Sequence, residues 1–294
     1  MIVNNDQLSD RQLEDLDSLI AAARQVDGGS PAIYKHLLVL KRDVPCNFLY
    51  YTQEKPNNPG QLIGFLGLYF YYAKAAEVSL VVHPQYRHQD IAKKLLQTAY
   101  NLCQIKKTQQ LIFSTPHKVF PPLLKLMGAE LAYREHHLKR EDGPFLPIIS
   151  PKLAVRAARQ QDIAVLCNID KECFQTTDLE EMKERFNIIL AEETYHVLVA
   201  ELANKIIGKV HLRFDEDEVF LSDLAILKAY QHQGLGKELI LHAINYVNSH
   251  HKDVISLEVE TKNAKLLDLY FACGFKSFDI IDFYKVNKFS DEYL

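Results

Sequence analysis

"FLSDLAILKAYQHQGLGKELILHAI", residues 220–244, runs an apolar strand-like segment into a polar turn with two glycines and then into a helix-like segment. A Walker A loop is excluded, because Lys237 is followed by Glu238 and Gln231 stands where the first glycine belongs. A dinucleotide fingerprint fails as well, since Leu239 occupies the place of its third glycine. What remains is a strand, a turn with small residues at alternate positions and a helix opening. That geometry aims several backbone N–H groups at one point, with the positive end of a helix behind them. An anion site and an ordinary turn both fit so far. A side chain at 234 or 236 would block close approach by a diphosphate, which gives both glycines a steric purpose.

The same corner occurs twice. "VSLVVHPQYRHQDIAKKLLQTAY" at 78–100 matches the opening stretch, with Tyr86 and Tyr230, Ala92 and Gly236, and Leu95 and Leu239 all 144 residues apart. Later, "LLKLMGA" at 123–129 echoes "LYFACGF" at 269–275, with Gly128 and Gly274 offset by 146. An offset maintained this way reads as a duplicated domain. "EDGPFLPIISPKL", at 141–153, holds three prolines and a glycine and reads as the linker. The expected domains are therefore 1–145 and 151–294, each of ordinary domain size. In the second, strands are expected in "PKLAVRAA", "YHVLVAEL", "KIIGKVHLRF", "VFLSDLAIL", "DVISLEVE" and "FDIIDFYKV". Helices are expected in "QQDIAVLCNIDKECF", "EEMKERFNIILA" and "AKLLDLYFACG", and after Gly236, where Leu239, Ile240, Ala243, Ile244 and Val247 share one face. Strands interleaved with helices predict an α/β (α+β) domain built on a mixed sheet.

Composition narrows the function classes. At 48% hydrophobic and 24% charged, the 294-residue chain is globular rather than disordered. Stretches such as "LIGFLGLYFYYA" are too short to span a bilayer, and the N-terminus lacks the pattern of a signal peptide. Five scattered cysteines, none in CxxC spacing, read as reduced thiols of a cytoplasmic protein. The twelve histidines form no zinc pattern, so no metal is expected. Residues 1–148 carry a net charge of +3 and the remainder −7. An acidic second half favours cationic small molecules or basic peptide ends over nucleic acid.

"LAILKAYQHQGLGKELI" resembles the coenzyme A loop of the GCN5-related N-acetyltransferase (GNAT) superfamily, Q/R-x-x-G-x-G/A, with Gln231, Gly234 and Gly236 in the three signature places. "LEVETKNAKLLDLYFACGF" resembles the closing motif of the same superfamily, most closely that of its amino-terminal protein acetyltransferases: Glu258, Asn263, Tyr270 and Gly274-Phe275. The resemblance spans most of 151–288. It implies a splayed mixed sheet flanked by helices, once per half, and acetyl transfer from acetyl-CoA to an amine. It also implies that backbone groups of Leu224, Ala225 and Ile226 pair with the pantetheine arm. The amides of His232, Gln233, Gly234, Leu235, Gly236 and Lys237 would hold the diphosphate, and Asn263 would touch the arm near the thioester. Glu258 would be the general base and Tyr270 the proton donor to the leaving thiolate. Each has a bland counterpart: Glu258 as an outward strand charge, Tyr270 as a core aromatic. Asp223 is the other carboxylate placed to meet an acceptor ammonium. The implied acceptors are a small-molecule amine, a peptide N-terminus or a lysine; neither nucleic acid nor membrane is a partner. A monomer that mimics a dimer and a homodimer are both compatible.

The first half departs where the chemistry would lie. In "RHQDIA", Arg87 and Ala92 fit the signature, but Asp90 replaces the first glycine and brings a negative charge towards a diphosphate. Leu124 stands at the tyrosine position, His117 at the asparagine position and Ile112 at the base position. One working half fits a resemblance to tandem acetyltransferases such as the mycothiol synthases. A non-catalytic acyl-CoA-binding scaffold is the alternative.

Overall fold

The computed structural model describes residues 1–53, 60–71, 74–141, 143–174, 178–260 and 264–287. Two compact units emerge, Met1–His136 with Asp279–Leu294 and His137–Phe278.

The first unit opens with β1 (Ile2–Asn5) and α1 (Asp10–Asp27). Ser9 accepts from the Gln12 amide and Gln12 returns the bond, a capping box that fixes where α1 starts. Gly28, at φ +74, ends it. There follow α2 (Lys35–Leu38), β2 (Asn47–Tyr51), β3 (Leu62–Tyr69), β4 (Ala75–Val82), α3 (Ile91–Ile105), β5 (Gln110–Pro116), α4 (Pro122–Leu126) and β6 (Glu130–Arg140), whose last residues pass into the second unit. Strand order is β1-β2-β3-β4-β5, with all neighbours antiparallel except the parallel pair β4–β5. Beside β5 lies the chain's last strand, β12 (Lys276–Val286), antiparallel through Ile281–Pro116 to Val286–Leu111. β3 is buried on both faces because alternate residues enter two cores. Ile63, Leu66 and Leu68 meet α3, whereas Leu62, Phe65 and Tyr69 meet α1 and α2.

The second unit repeats the plan: β7 (Ala154–Ala157), α5 (Ile163–Phe174), α6 (Leu179–Ala191), β8 (Tyr195–Leu202), β9 (Lys205–Phe214), β10 (Val219–Ile226), α7 (Leu235–Ser249), β11 (Ile255–Glu260) and α8 (Ala264–Phe271). The order β7-β8-β9-β10-β11 is antiparallel except for β10–β11. The mixed sheet flanked by helices expected from the sequence is present in both units. Ala203 and Asn204, which join β8 to β9, both have positive φ, at 48° and 63°, as a two-residue type I′ hairpin requires.

In β8, Leu198 and Ala200 enter the core containing α7, while Val197 and Val199 pack on α5 and α6. One sheet face therefore belongs to α7 and the other to α5 and α6. Leu239, Ile240, Ala243, Ile244 and Val247 are all at 0% exposure, the stripe predicted for α7. All five cysteines are free thiols, and four of them are buried. Among the described residues, no helix is long and apolar enough to cross a membrane.

Candidate active site

The second unit's two parallel strands stay together only briefly. β10 and β11 pair at Val219–Ile255 and Phe220–Ser256, yet β10 runs on to Ile226 and β11 to Glu260. They part where β10 shifts register against β9, between Ser222 and Ala225, and where Asp223 takes a left-handed φ of 49°. This is a β-bulge, which bends a strand away from its neighbour and leaves backbone groups unpaired. In the first unit, β4 and β5 pair through five positions, from Ala75–Gln110 to Ser79–Ser114, and the β3–β4 ladder has no register shift. Only the second unit carries the bulge.

Leu224 lies in the bulged segment, and Ala225 and Ile226 follow it, re-paired with Lys209 and Gly208 of β9. The carbonyl of Ile226 accepts a 2.8 Å hydrogen bond from Gln231 Nε2. Gln231, the first signature residue, thus clips the loop to the end of the strand. Arg87 does the same in the first unit, donating Nε to the Val82 carbonyl at 3.2 Å.

Beyond Gln231 the chain makes a tight corner with His232 at φ 62° and Gly234 at φ 81°, and α7 begins at Leu235. The first intrahelical bond is Glu238 N–H to the Gly234 carbonyl. No side chain caps this end, so the amides of Leu235, Gly236 and Lys237 point outwards without a helical acceptor. A Cβ built on Gly234 or on Gly236 meets nothing within 4 Å. Protein packing therefore does not demand glycine at 236, and the space in front of the helix is open. The first unit has the same corner, with His88 at φ 62° and Asp90 at φ 57°, so Asp90 occupies a left-handed position that disfavours a side chain.

Alternation along the strands places the remaining groups. Leu257 and Val259 are in the α7 core, which turns Ser256, Glu258 and Glu260 to the α5/α6 face. Glu258 is 43% exposed there, and its Oε1 lies 3.7 Å from His137 Nδ1. Arg213, on the same face, is held charged first by Asp215 and also feels Glu258. Tyr270, on α8, is 6% exposed within the α7 core, edge-on to Phe275 at 5.8 Å between ring centroids. Burial pushes its hydroxyl up to about 12. Glu258 and Tyr270 thus belong to opposite faces of the sheet, with the parted strands between them. Asn263 lies outside the described residues.

Sequence reasoning overlooked a polar row behind the bulge. Lys209 and His211 alternate along an otherwise apolar strand and are fully buried on the α5/α6 face. A lysine and a histidine two residues apart in "KIIGKVHLRF" were the available signal. Burial would push the Asp223 carboxyl up, but His211, Lys209 and Arg185 outweigh it and hold it below its ordinary range. Burial first, and Lys209 next, push His211 down to about 3, so the ring is neutral at pH 7.

In the first unit the corresponding positions serve the fold. His117 Nδ1 sits 3.1 Å from Asp282, which Arg134 also binds. Leu124 is in the core, and Ile112 packs with Ile281 and Phe283. Arg87 grips Asp27 through both guanidinium nitrogens, at 2.8 and 2.6 Å. Where β4 and β5 stop pairing, residues 29–32 lie buried. The Ala32 amide donates to Ser114 Oγ at 3.2 Å, and Ser79 Oγ donates to the Ala32 carbonyl.

Residues 163–275 match the model of the Acetyltransferase (GNAT) family, and residues 45–128 match that of an Acetyltransferase (GNAT) domain. The chain is a tandem GNAT acetyltransferase. A curated relative, the mycothiol acetyltransferase of Renibacterium salmoninarum, is 25% identical over 290 residues, covering 91% of this chain and 85% of that protein. Among solved structures, a GCN5-related N-acetyltransferase from Sphaerobacter thermophilus matches with a TM-score of 0.79 at 13% identity, covering 97% of this chain and 95% of that one. A tandem GNAT protein from the clavulanic acid biosynthesis pathway matches with 0.70 at 15% identity over 99% of both chains. These GNAT structures share the fold across both units. GNAT enzymes acetylate amines, and acetyl-CoA is the donor the family uses.

Proposed function

We propose that the second GNAT unit binds acetyl-CoA between β10 and β11 and transfers the acetyl group to an amine that approaches from the α5/α6 face. The observation that carries this reading is the early end of β10–β11 pairing beside an uncapped helix N-terminus, a combination absent from the first unit. The unpaired edge at Leu224 and Ala225 suits the amide-bearing pantetheine arm, which binds as an added strand would. The amides from His232 to Lys237 suit the diphosphate, with the helix dipole and the Lys237 charge behind them.

The amine must be neutral to attack. Glu258 takes its proton, directly or through water, as nitrogen bonds to the thioester carbonyl carbon and the C–S bond breaks. The sulfur leaves as a thiolate towards the Tyr270 side. A phenol that burial pushes up to about 12 is protonated at pH 7. Full transfer to a thiolate of ordinary pKa near 8.5 is uphill by roughly three units. Tyr270 therefore acts mainly by donating a hydrogen bond to the developing thiolate, which takes a proton from water as coenzyme leaves.

An acceptor panel should hold small amines, peptide N-termini, lysine peptides and, given the name of the Renibacterium relative, the mycothiol precursor amine. Thiol release from acetyl-CoA is the assay, comparing wild type with Gly236→Asp. Turnover with at least one amine and its loss in the variant support the proposal. Equal turnover in both would remove the diphosphate from this loop.

A further inference from the structure

Two charged side chains, Asp170 and Lys209, and a neutral histidine, His211, are buried on the α5/α6 face of the second unit without touching the proposed reacting atoms. Lys209 Nζ lies 2.7 Å from Asp170 Oδ1 and 2.9 Å from His211 Nε2. The rings of Phe174 and Phe186 flank the ammonium at 5.5 and 5.1 Å. With Nε2 facing the ammonium, the neutral imidazole carries its proton on Nδ1. That atom packs 3.3 Å from Asp223 Oδ2, in contact but outside hydrogen-bond geometry. Ser222 Oγ donates to the same carboxylate at 3.1 Å, and Arg185 reaches it from the solvent side at 3.3 Å. Burying an ammonium is costly, and the chain leads to a single place.

That place is Asp223, the left-handed residue of the β10 bulge. An L side chain resists this conformation and keeps it only where its surroundings over-determine it. The first unit is the internal control. There, β3 presents Phe65 and Gly67 to Val81 and Ser79, where β9 presents Lys209 and His211 to Ala225 and Ser222. Without that polar pair, β4 continues with no bulge and β4–β5 pairing runs on through Ser79.

We propose that Asp170, Lys209 and His211 are positioning residues that hold Asp223 in the bulge and so keep the backbone slot between β10 and β11 open for coenzyme. This inference rests on the reading of that slot as the coenzyme site. Two sets of variants, the first of them charge-balanced, separate it from a merely structural role. Asp170→Asn with Lys209→Met removes both buried charges together, so neither is left unpaired. Asp223→Ala and Asp223→Gly both delete the carboxylate, but glycine adopts φ +49° without strain.

Coenzyme A affinity, by isothermal titration, is the readout, with thermal melts and far-UV spectra establishing that each variant is folded. Asp170→Asn/Lys209→Met and Asp223→Ala are expected to bind about tenfold more weakly, the equivalent of roughly 1.4 kcal/mol and within the strain of a left-handed residue. Asp223→Gly is expected to bind within about threefold of wild type, and adding it to the double variant restores affinity. Asp223→Gly as weak as Asp223→Ala overturns the inference, because the carboxylate itself is then what matters. So does a folded Asp170→Asn/Lys209→Met protein with wild-type affinity. Wild type that fails to bind coenzyme A sinks the slot assignment and the inference with it, whereas wild-type binding with unaffected variants sinks the inference alone.

Discussion

Gly234→Asp would rebuild in the second unit the corner that the first unit already has. The backbone accepts it: Asp90 holds φ 57° in the matching place, and a Cβ at 234 meets nothing within 4 Å. The fold loses only the freedom of glycine at φ 81°, about 1 kcal/mol, or a melting temperature lower by roughly 2–4 °C. Binding suffers more. A carboxylate about 5 Å from one charge of a diphosphate is repelled by about 1 kcal/mol in water and about 3 kcal/mol at an effective dielectric of 20. Coenzyme A affinity should fall by about tenfold to a hundredfold. Gly234→Asn has the same bulk and the same backbone strain without the charge. The gap between Asp and Asn, measured by titration, is therefore the electrostatic part alone, and it should shrink as salt rises from 0.05 to 0.5 M. Acetyl-pantetheine lacks the diphosphate, so turnover with it should be alike in the two variants. If Asp and Asn bind coenzyme A equally, or if Asp binds as wild type does, the diphosphate does not lie at this helix end.

Glu258→Gln keeps the shape of the proposed base and should lower kcat about 10²-fold or more at pH 7, with the loss shrinking at high pH as free amine accumulates. An unchanged pH–rate profile would move the base elsewhere. Tyr270→Phe should cut kcat about tenfold to a hundredfold with coenzyme affinity unchanged, and a loss confined to KM would count against it as donor. Asp162, held below its ordinary range first by hydrogen bonds from Arg156, gives stability that is full above the unfolded carboxyl pKa and vanishes as pH falls through the folded one. Melting curves from pH 6 to pH 2.5 should therefore converge for wild type and Arg156→Gln at the acid end and separate towards neutrality. Leu239→Ala, at a fully buried position of α7, should cost about 3 kcal/mol and lower the melting temperature of the second unit.

The elements of the second unit were legible because each is specified locally. Apolar alternation fixes β8 and β9, Ala203–Asn204 the turn between them, and the Leu239–Val247 stripe the buried face of α7. The corner from Gln231 to Gly236 was legible for the same reason, since its strand, turn and helix start are written in one short stretch. The bulge was not. Asp223 reads as one more polar residue in a strand, and its left-handed φ depends on His211, Lys209 and Asp170, up to 53 positions away. Nor does the pattern of β12 say which sheet receives it, because pairing with β5 joins residues some 170 positions apart. Nothing local marks Glu258 as different from Glu260; only the parting of β10 from β11 gives its face an opening.

The buried segment at Ala32 bears on how the protein lives in a cell. Its amide and carbonyl satisfy Ser114 and Ser79 at the end of β4–β5 pairing, so the first unit carries an occupant for that place within its own chain. Such a filler, held in the chain itself, has an effective concentration that does not vary with ligand supply. On the proposed assignment, the folded population of the second unit rises with free donor by RT ln(1 + [L]/Kd), about 2.7 kcal/mol at a hundredfold excess over Kd. The proposed site therefore predicts that the second unit gains resistance to unfolding and proteolysis when acetyl-CoA is plentiful. Starvation would show first as cleavage within residues 137–278.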